Sequence, residues 1–231
     1  KSYDVVFCNY ARVNEKGKII SIHKQPKEFI GVVLNGKKAL ELALKSKLHI
    51  CTASYICKKD LIIDNNIFYT RGCPLGEDQE FWMKTLFHAE LVNNLPETLV
   101  YYVQRKGSAI NQKHDLRVLH SYAMRKRLVA YFERVEATNS TIIDLMKKEE
   151  LKSLLHNLFQ LYRSPKIDNQ TLKNILQNEV IKDNLMKVKN LDLTISERLF
   201  LLLLLKFPLS MRAINRFFIN SIYNINYRGY R

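Results

Sequence analysis

"RGCPLGEDQEFWMKTLFHAELVNNLPETLVYYVQRKGS", residues 71–108, reads as loop, helix and strand in succession. Gly72, Pro74 and Gly76 interrupt regular structure just before Glu77 and Asp78. Acids are favoured in the first turn of a helix, where they meet the positive end of its dipole. Phe81, Trp82, Leu86 and Ala89 then recur near helical spacing, and Glu80 with Lys84 makes an i,i+4 pair. The spacing predicts a helix over 76–91, followed by a β-rich run over 98–105. Residues 77 and 78 lie about 100° apart around a helix axis, so one carboxylate can face a cleft while the other anchors the turn. The glycine- and proline-containing loop ahead of them is of the kind that can close over a substrate.

Outward from this stretch, "YDVVFCNYARV" (3–13) and "KGKIISI" (16–22) are two β-rich runs joined at Gly17, which predicts a hairpin. "GKKALELALKSK" (36–47) has helical character, "HICTASYIC" (49–57) is β-branched and aromatic, and 64–75 reads as loop. After about residue 115 the pattern becomes purely helical, with predicted helices at 116–136, 141–163, 168–189, 195–206 and 209–224. The expected fold class is therefore α/β followed by all-α, with one part over 1–115 and a helical part over 116–231.

Composition narrows the partners. The 231-residue chain is 47% hydrophobic with a net charge of +15, as in a globular protein with an anionic partner: nucleic acid, anionic membrane or phosphorylated substrate. Residues 1–115 contribute +5 and residues 116–231 contribute +10. The four cysteines form no CxxC or zinc-type cluster, which points to free thiols in a reducing, intracellular compartment. No signal-peptide n-region opens the sequence. The longest apolar run, "LFLLLLL" at 199–205, is far shorter than the roughly 20 residues that span a bilayer. Residues 195–224 combine that run with cations and aromatics. They read either as a core helix followed by a surface helix, or as an interfacial element lying on an anionic membrane. No nucleic-acid-binding module, GxGxxG, P-loop, GxSxG or HExxH is present.

Four blocks in order, "YDVVFCNYARVNEKGKII", "TASYICKKDL", "GEDQEFWMKTLFHA" and "LVYYVQRKGSAIN", resemble successive blocks of the family 2 glycosyltransferases, over residues 1 to about 115. The resemblance implies the later part of a GT-A, Rossmann-like mixed-sheet domain followed by a helical appendage. It further implies inverting transfer of a sugar from a nucleotide-sugar donor to a glycan or lipid-linked saccharide in bacterial surface-polysaccharide synthesis. The aspartate of the family's ED motif is the general base, which falls on Asp78, with Glu77 as its supporting neighbour. Arg105, Lys106, Ser108 and Trp82 are candidates for the donor diphosphate or substrate; Arg105 and Lys106 read equally as solvated charges at a strand end. The family's divalent metal, Mg²⁺ or Mn²⁺, is held mainly by a DxD motif, and no Asp-x-Asp occurs in this chain. The expectation is a longer enzyme whose donor-binding half precedes Lys1, working in the cytoplasm or peripherally on the inner membrane face. His114 is the one histidine suitably placed to add a metal ligand, and it reads also as a solvated loop residue. The competing reading is a non-catalytic basic module that binds nucleic acid or anionic membrane and uses "GEDQE" only as a helix start.

Overall fold

The structure is a computed structural model that describes residues 2–105, 115–135 and 140–208. The chain divides into two compact units, one of residues 1–112 with 124–147 and the other of residues 113–123 with 148–231. The architecture is mixed α/β and mostly helical, and after Asp115 every described element is a helix.

The first unit is organised on β1 (Val5–Asn14). Antiparallel β3 (Tyr55–Cys57) pairs with residues 5–7 and antiparallel β2 (Ile19–His23) with residues 10–13, while β4 (Val92–Gln104) runs parallel along the whole of β1. The hairpin expected at Gly17 forms there, at a φ of 77° that glycine adopts without strain. A parallel partner requires a crossover. The segment between β1 and β4 supplies it with β2, β3, α1 (Gly36–Leu44), α2 (Lys59–Asp64) and α3 (Glu77–His88). Val5 and Phe7 point into a core shared with Leu40, Leu86, Phe87 and Val92, joined by Leu128 and Phe132 of α4 (Leu119–Val135) and Met146 of α5 (Ser140–Arg163).

Helices α1 and α3 meet at Gly36. A Cβ there would sit 2.1 Å from the Leu86 carbonyl oxygen and 2.3 Å from that of Ala89, and backbone cannot swing aside as a side chain can. Gly36→Ala is therefore expected to destabilise the chain by about 2 kcal/mol through overpacking, read as a lower urea midpoint. An unchanged midpoint would mean that the two helices separate freely.

The second unit packs the later part of α5 with α6 (Asn169–Gln177), α7 (Glu179–Val188) and α8 (Ile195–Lys206) around Leu154, Leu158, Leu172, Leu185 and Phe200. The buried Asn184 amide donates to the Tyr122 hydroxyl at 2.6 Å. The Phe159 and Phe200 rings meet edge to face at 5.2 Å.

Local chemistry shifted several expected boundaries. The helix expected over 168–189 is two helices, because Asn178 ends α6 and its side chain accepts the Val180 and Ile181 N–H groups to start α7. The β-rich run over 49–57 contributes only three strand residues: Ser54 takes the Cys51 N–H and returns its hydroxyl to the Cys51 carbonyl, holding a 3-10 turn instead. Strand β4 starts six residues before the expected 98–105, and tolerates Pro96 where its register against β1 shifts. The helix expected over 209–224 lies outside the described residues.

Candidate active site

Helix α3 begins at Glu77, as its acidic first turn predicts, with Gly76 at the N-cap in the left-handed region, φ 91°. A side chain there would come 3.1 Å from the Met124 methyl group, so both the conformation and the space favour glycine. Gly76 offers no capping side chain, and the Gln79 N–H is instead taken by Asp78 Oδ1 at 2.7 Å. The other oxygen, Asp78 Oδ2, accepts from the Thr52 hydroxyl at 3.3 Å, which joins the start of α3 to the turn before β3. Glu77 is half-buried, and its Oε2 atom is buried with no donor among the described residues. Beside the two acids the Tyr69 and Phe81 rings stack 4.5 Å apart and within 8° of parallel. Burial pushes the Tyr69 phenol up, and the nearby charges of Asp78 and Glu77 push the same way.

The sheet also carries a polar face. Alternation along β1 puts Tyr10 and Arg12 on the face opposite the core residues. Pairing aligns Tyr10 with His23 and Arg12 with Ser21 on β2, and Arg12 with Tyr102 on β4. The Tyr10 and His23 rings stack at 4.5 Å, and His49 meets His23 edge-on at 6.4 Å. A buried amide relay secures this arrangement. Asn9 Oδ1 accepts the Gln25 N–H at 2.8 Å, and the Gln25 side chain then closes two bonds with the His49 backbone, donating at 2.6 Å and accepting at 3.1 Å. The segment 49–52 is thereby fixed beside the sheet, bringing Cys51 within electrostatic reach of both Asp78 and Arg12. Burial pushes the Cys51 thiol up; Asp78 adds to that and Arg12 opposes it. Burial pulls His23 down, and the charges of Arg12 and His49 pull it further. His23 is therefore mainly neutral at pH 7.

Glu80, which the sequence places in an i,i+4 pair with Lys84, is the most buried acid of α3, at 2% exposure. It accepts from Lys84 at 2.7 Å and from two nitrogens of Arg127 at 2.6 and 3.1 Å. The same guanidinium reaches Cys73 Sγ at 3.2 Å, so one arginine holds both the helix and the loop that leads into it. Burial alone would push the Glu80 carboxyl up; the bonds to Arg127 and Lys84 outweigh it and leave the group below its ordinary value.

Trp82 is 7% exposed and packs in the core, so the aromatic surface open beside the acids is the Tyr69–Phe81 stack. Arg105 is exposed and follows Gln104, which pairs with Asn14 at the hairpin end of the sheet. Lys106, Ser108 and His114 lie outside the described residues. The sequence reading gave no site role to Arg12, His23, His49 or Thr52; here His49 meets His23 beside Arg12, and Thr52 meets Asp78. The one signal was the alternation of polar and apolar residues in "NYARVN", and histidines 26 residues apart carry no spacing that announces a meeting. Among the described residues no three His, Cys, Asp or Glu side chains are grouped so as to hold a metal ion. These residues do not by themselves fit a divalent metal, and no step below is routed through one.

No family model matches the chain, and no curated protein matches it in sequence.

Proposed function

We propose that the chain is the acceptor side of an inverting sugar transferase, with Asp78 as general base. The observation that carries this reading is the half-buried carboxylate of Asp78, set at a helix start, oriented by the Thr52 hydroxyl and adjoining a Glu77 oxygen with no donor among the described residues. The resemblance of residues 1 to about 115 to family 2 glycosyltransferases supplies the reaction class. In the proposed step an acceptor hydroxyl oxygen attacks the anomeric carbon of a nucleotide sugar. The carbon–oxygen bond to the nucleoside diphosphate breaks, the diphosphate leaves with the electron pair, and Asp78 Oδ2 takes the hydroxyl proton. Thr52 donates to that oxygen and so fixes its position, and Glu77 is the neighbouring carboxylate. The diphosphate requires compensating positive charge, for which Arg105 and Lys106 are the candidates in this chain. A divalent ion would come mainly from a DxD-bearing half outside it.

The experiment is nucleoside diphosphate release by the full-length protein with a panel of nucleotide sugars and a saccharide acceptor. Acceptor-dependent release is expected with one donor. Absence of release with every donor would favour the non-catalytic basic module.

The second unit supports a peripheral membrane contact for a lipid-linked acceptor. Helix α8 buries Phe200, Leu201 and Leu204 but leaves Ile195, Leu199 and Leu202 exposed, at 85, 41 and 53%, along one stripe at i, i+4 and i+7. The basic residues Arg212 and Arg216 follow in the sequence. Among the described residues no helix is long and apolar enough to cross a membrane. Inserting two leucines contributes about 1.5–3 kcal/mol each. The double variant Leu199→Glu/Leu202→Glu should therefore float with anionic liposomes at least about tenfold less than the parent. Equal flotation would remove α8 from any membrane contact.

A further inference from the structure

The polar face of the sheet carries a guanidinium with one donor unsatisfied among the described residues. Arg12 Nε is buried and has no acceptor among the described residues. Its neighbours across the strands are the hydroxyl-bearing Ser21 and Tyr102, and beside them stand the Tyr10–His23 stack and His49. Tyrosine, serine and histidine can all donate hydrogen bonds. The charges of Asp78 and of Arg12 both reach Cys51. A buried guanidinium donor without a partner is costly. A planar fork held among other donors is, in turn, what recognises a two-oxygen anion.

We propose that this face binds an anionic group, a phosphate or a carboxylate, on the saccharide acceptor, with Arg12 as its anchor. Cys51 is within electrostatic reach of both Arg12 and Asp78, so a sugar anchored at Arg12 would bring a hydroxyl toward the base. The assignment to the acceptor rests on the transferase reading; the anion site itself rests on Arg12 and the donors around it. The rigid backing from Asn9, Gln25 and His49 means that the cradle exists before the ligand arrives. Its selectivity follows from composition: a neutral sugar would leave the arginine unsatisfied, and a cationic one would meet Arg12 directly.

The test is a titration of the full chain with glucose 1-phosphate, glucuronic acid and glucose, followed through the Nε–H resonance of Arg12, assigned by its loss in Arg12→Lys. At least one of the two anionic sugars should shift that resonance saturably, and glucose should not. Whether it is the phosphate or the carboxylate that shifts it identifies the group. Arg12→Met, checked for folding by circular dichroism, should weaken binding of that anion by about tenfold or more. If Arg12→Met does not fold, the wild-type titration decides alone. No shift with either anion, or an equal shift with glucose, overturns the proposal. Anion binding at Arg12 in a protein that turns over no nucleotide sugar would keep the site and remove the transferase reading. Transfer to a neutral acceptor with no response at Arg12 would remove the anion site alone.

Discussion

Asp78→Asn in the full-length protein is expected to lower sugar transfer by about a thousandfold while leaving the fold intact. General base catalysis contributes typically 10²–10⁴-fold, and an amide cannot take the hydroxyl proton. The isosteric amide keeps a carbonyl oxygen for either the Gln79 N–H or the Thr52 hydroxyl, so the start of α3 should survive. The effect should fall on kcat, with little change in the KM for the donor, because the proposed base acts on the acceptor hydroxyl. A companion variant, Glu77→Gln, should lose less, since in the proposed step Glu77 does not take the proton. Transfer at the parent rate by Asp78→Asn would take that carboxylate out of the mechanism and return "GEDQE" to the role of an ordinary helix start.

Glu80→Ala should be the most destabilising change near the site, at about 3 kcal/mol, because it strands two cations that now share one carboxylate. Glu80 is 2% exposed while Arg127 is about one-third exposed, which keeps the expected cost at the lower end for a broken buried pair. The loss should depend on pH in a defined direction. The carboxyl is held below its ordinary value of 4.5 in the folded chain, so its stabilisation is complete above that value. It is lost as pH falls through the depressed folded value, where the native carboxylate takes up its proton. Urea unfolding of parent and variant should differ fully at pH 7 and converge in strong acid. A gap that stays constant with pH would mean that packing, and not charge, supplies the stability. Because Arg127 also holds Cys73, the variant should loosen the loop ahead of Glu77 and lower transfer as well.

The contrast between these two acids shows how much was legible beforehand. Both sit in one turn of α3, and helical periodicity with the dipole preference located that turn to within a residue. Nothing in the local sequence separates them further. Glu80 became the buried hub because an arginine 47 positions later packs against it. Trp82, by its chemistry a candidate to stack on a sugar, went to the core because the apolar stripe of α3 faces β1 and α1.

The sheet face behaves in the same way. That β1 is a strand with a two-residue alternation, and that a hairpin follows at Gly17, could be read from residues 3–22. That Arg12 would end with a buried nitrogen lacking an acceptor could not, since it depends on β4 arriving in parallel and on the Asn9–Gln25–His49 relay. Likewise Asn178, an ordinary polar residue in a helical stretch, splits that stretch because its side chain competes for two N–H groups.

Short-range physics is therefore what the sequence determined: the periodicities, the helix start at Glu77, the glycine turns, the change to helices after Asp115 and the basic charge. The tertiary structure alone decided which face of each element is covered, and hence which of several chemically equivalent residues meet. Burial and pairing are set by partners distant in the chain, and so Thr52 came to Asp78 and Arg127 to Glu80, while among the described residues no acceptor came to Arg12 Nε.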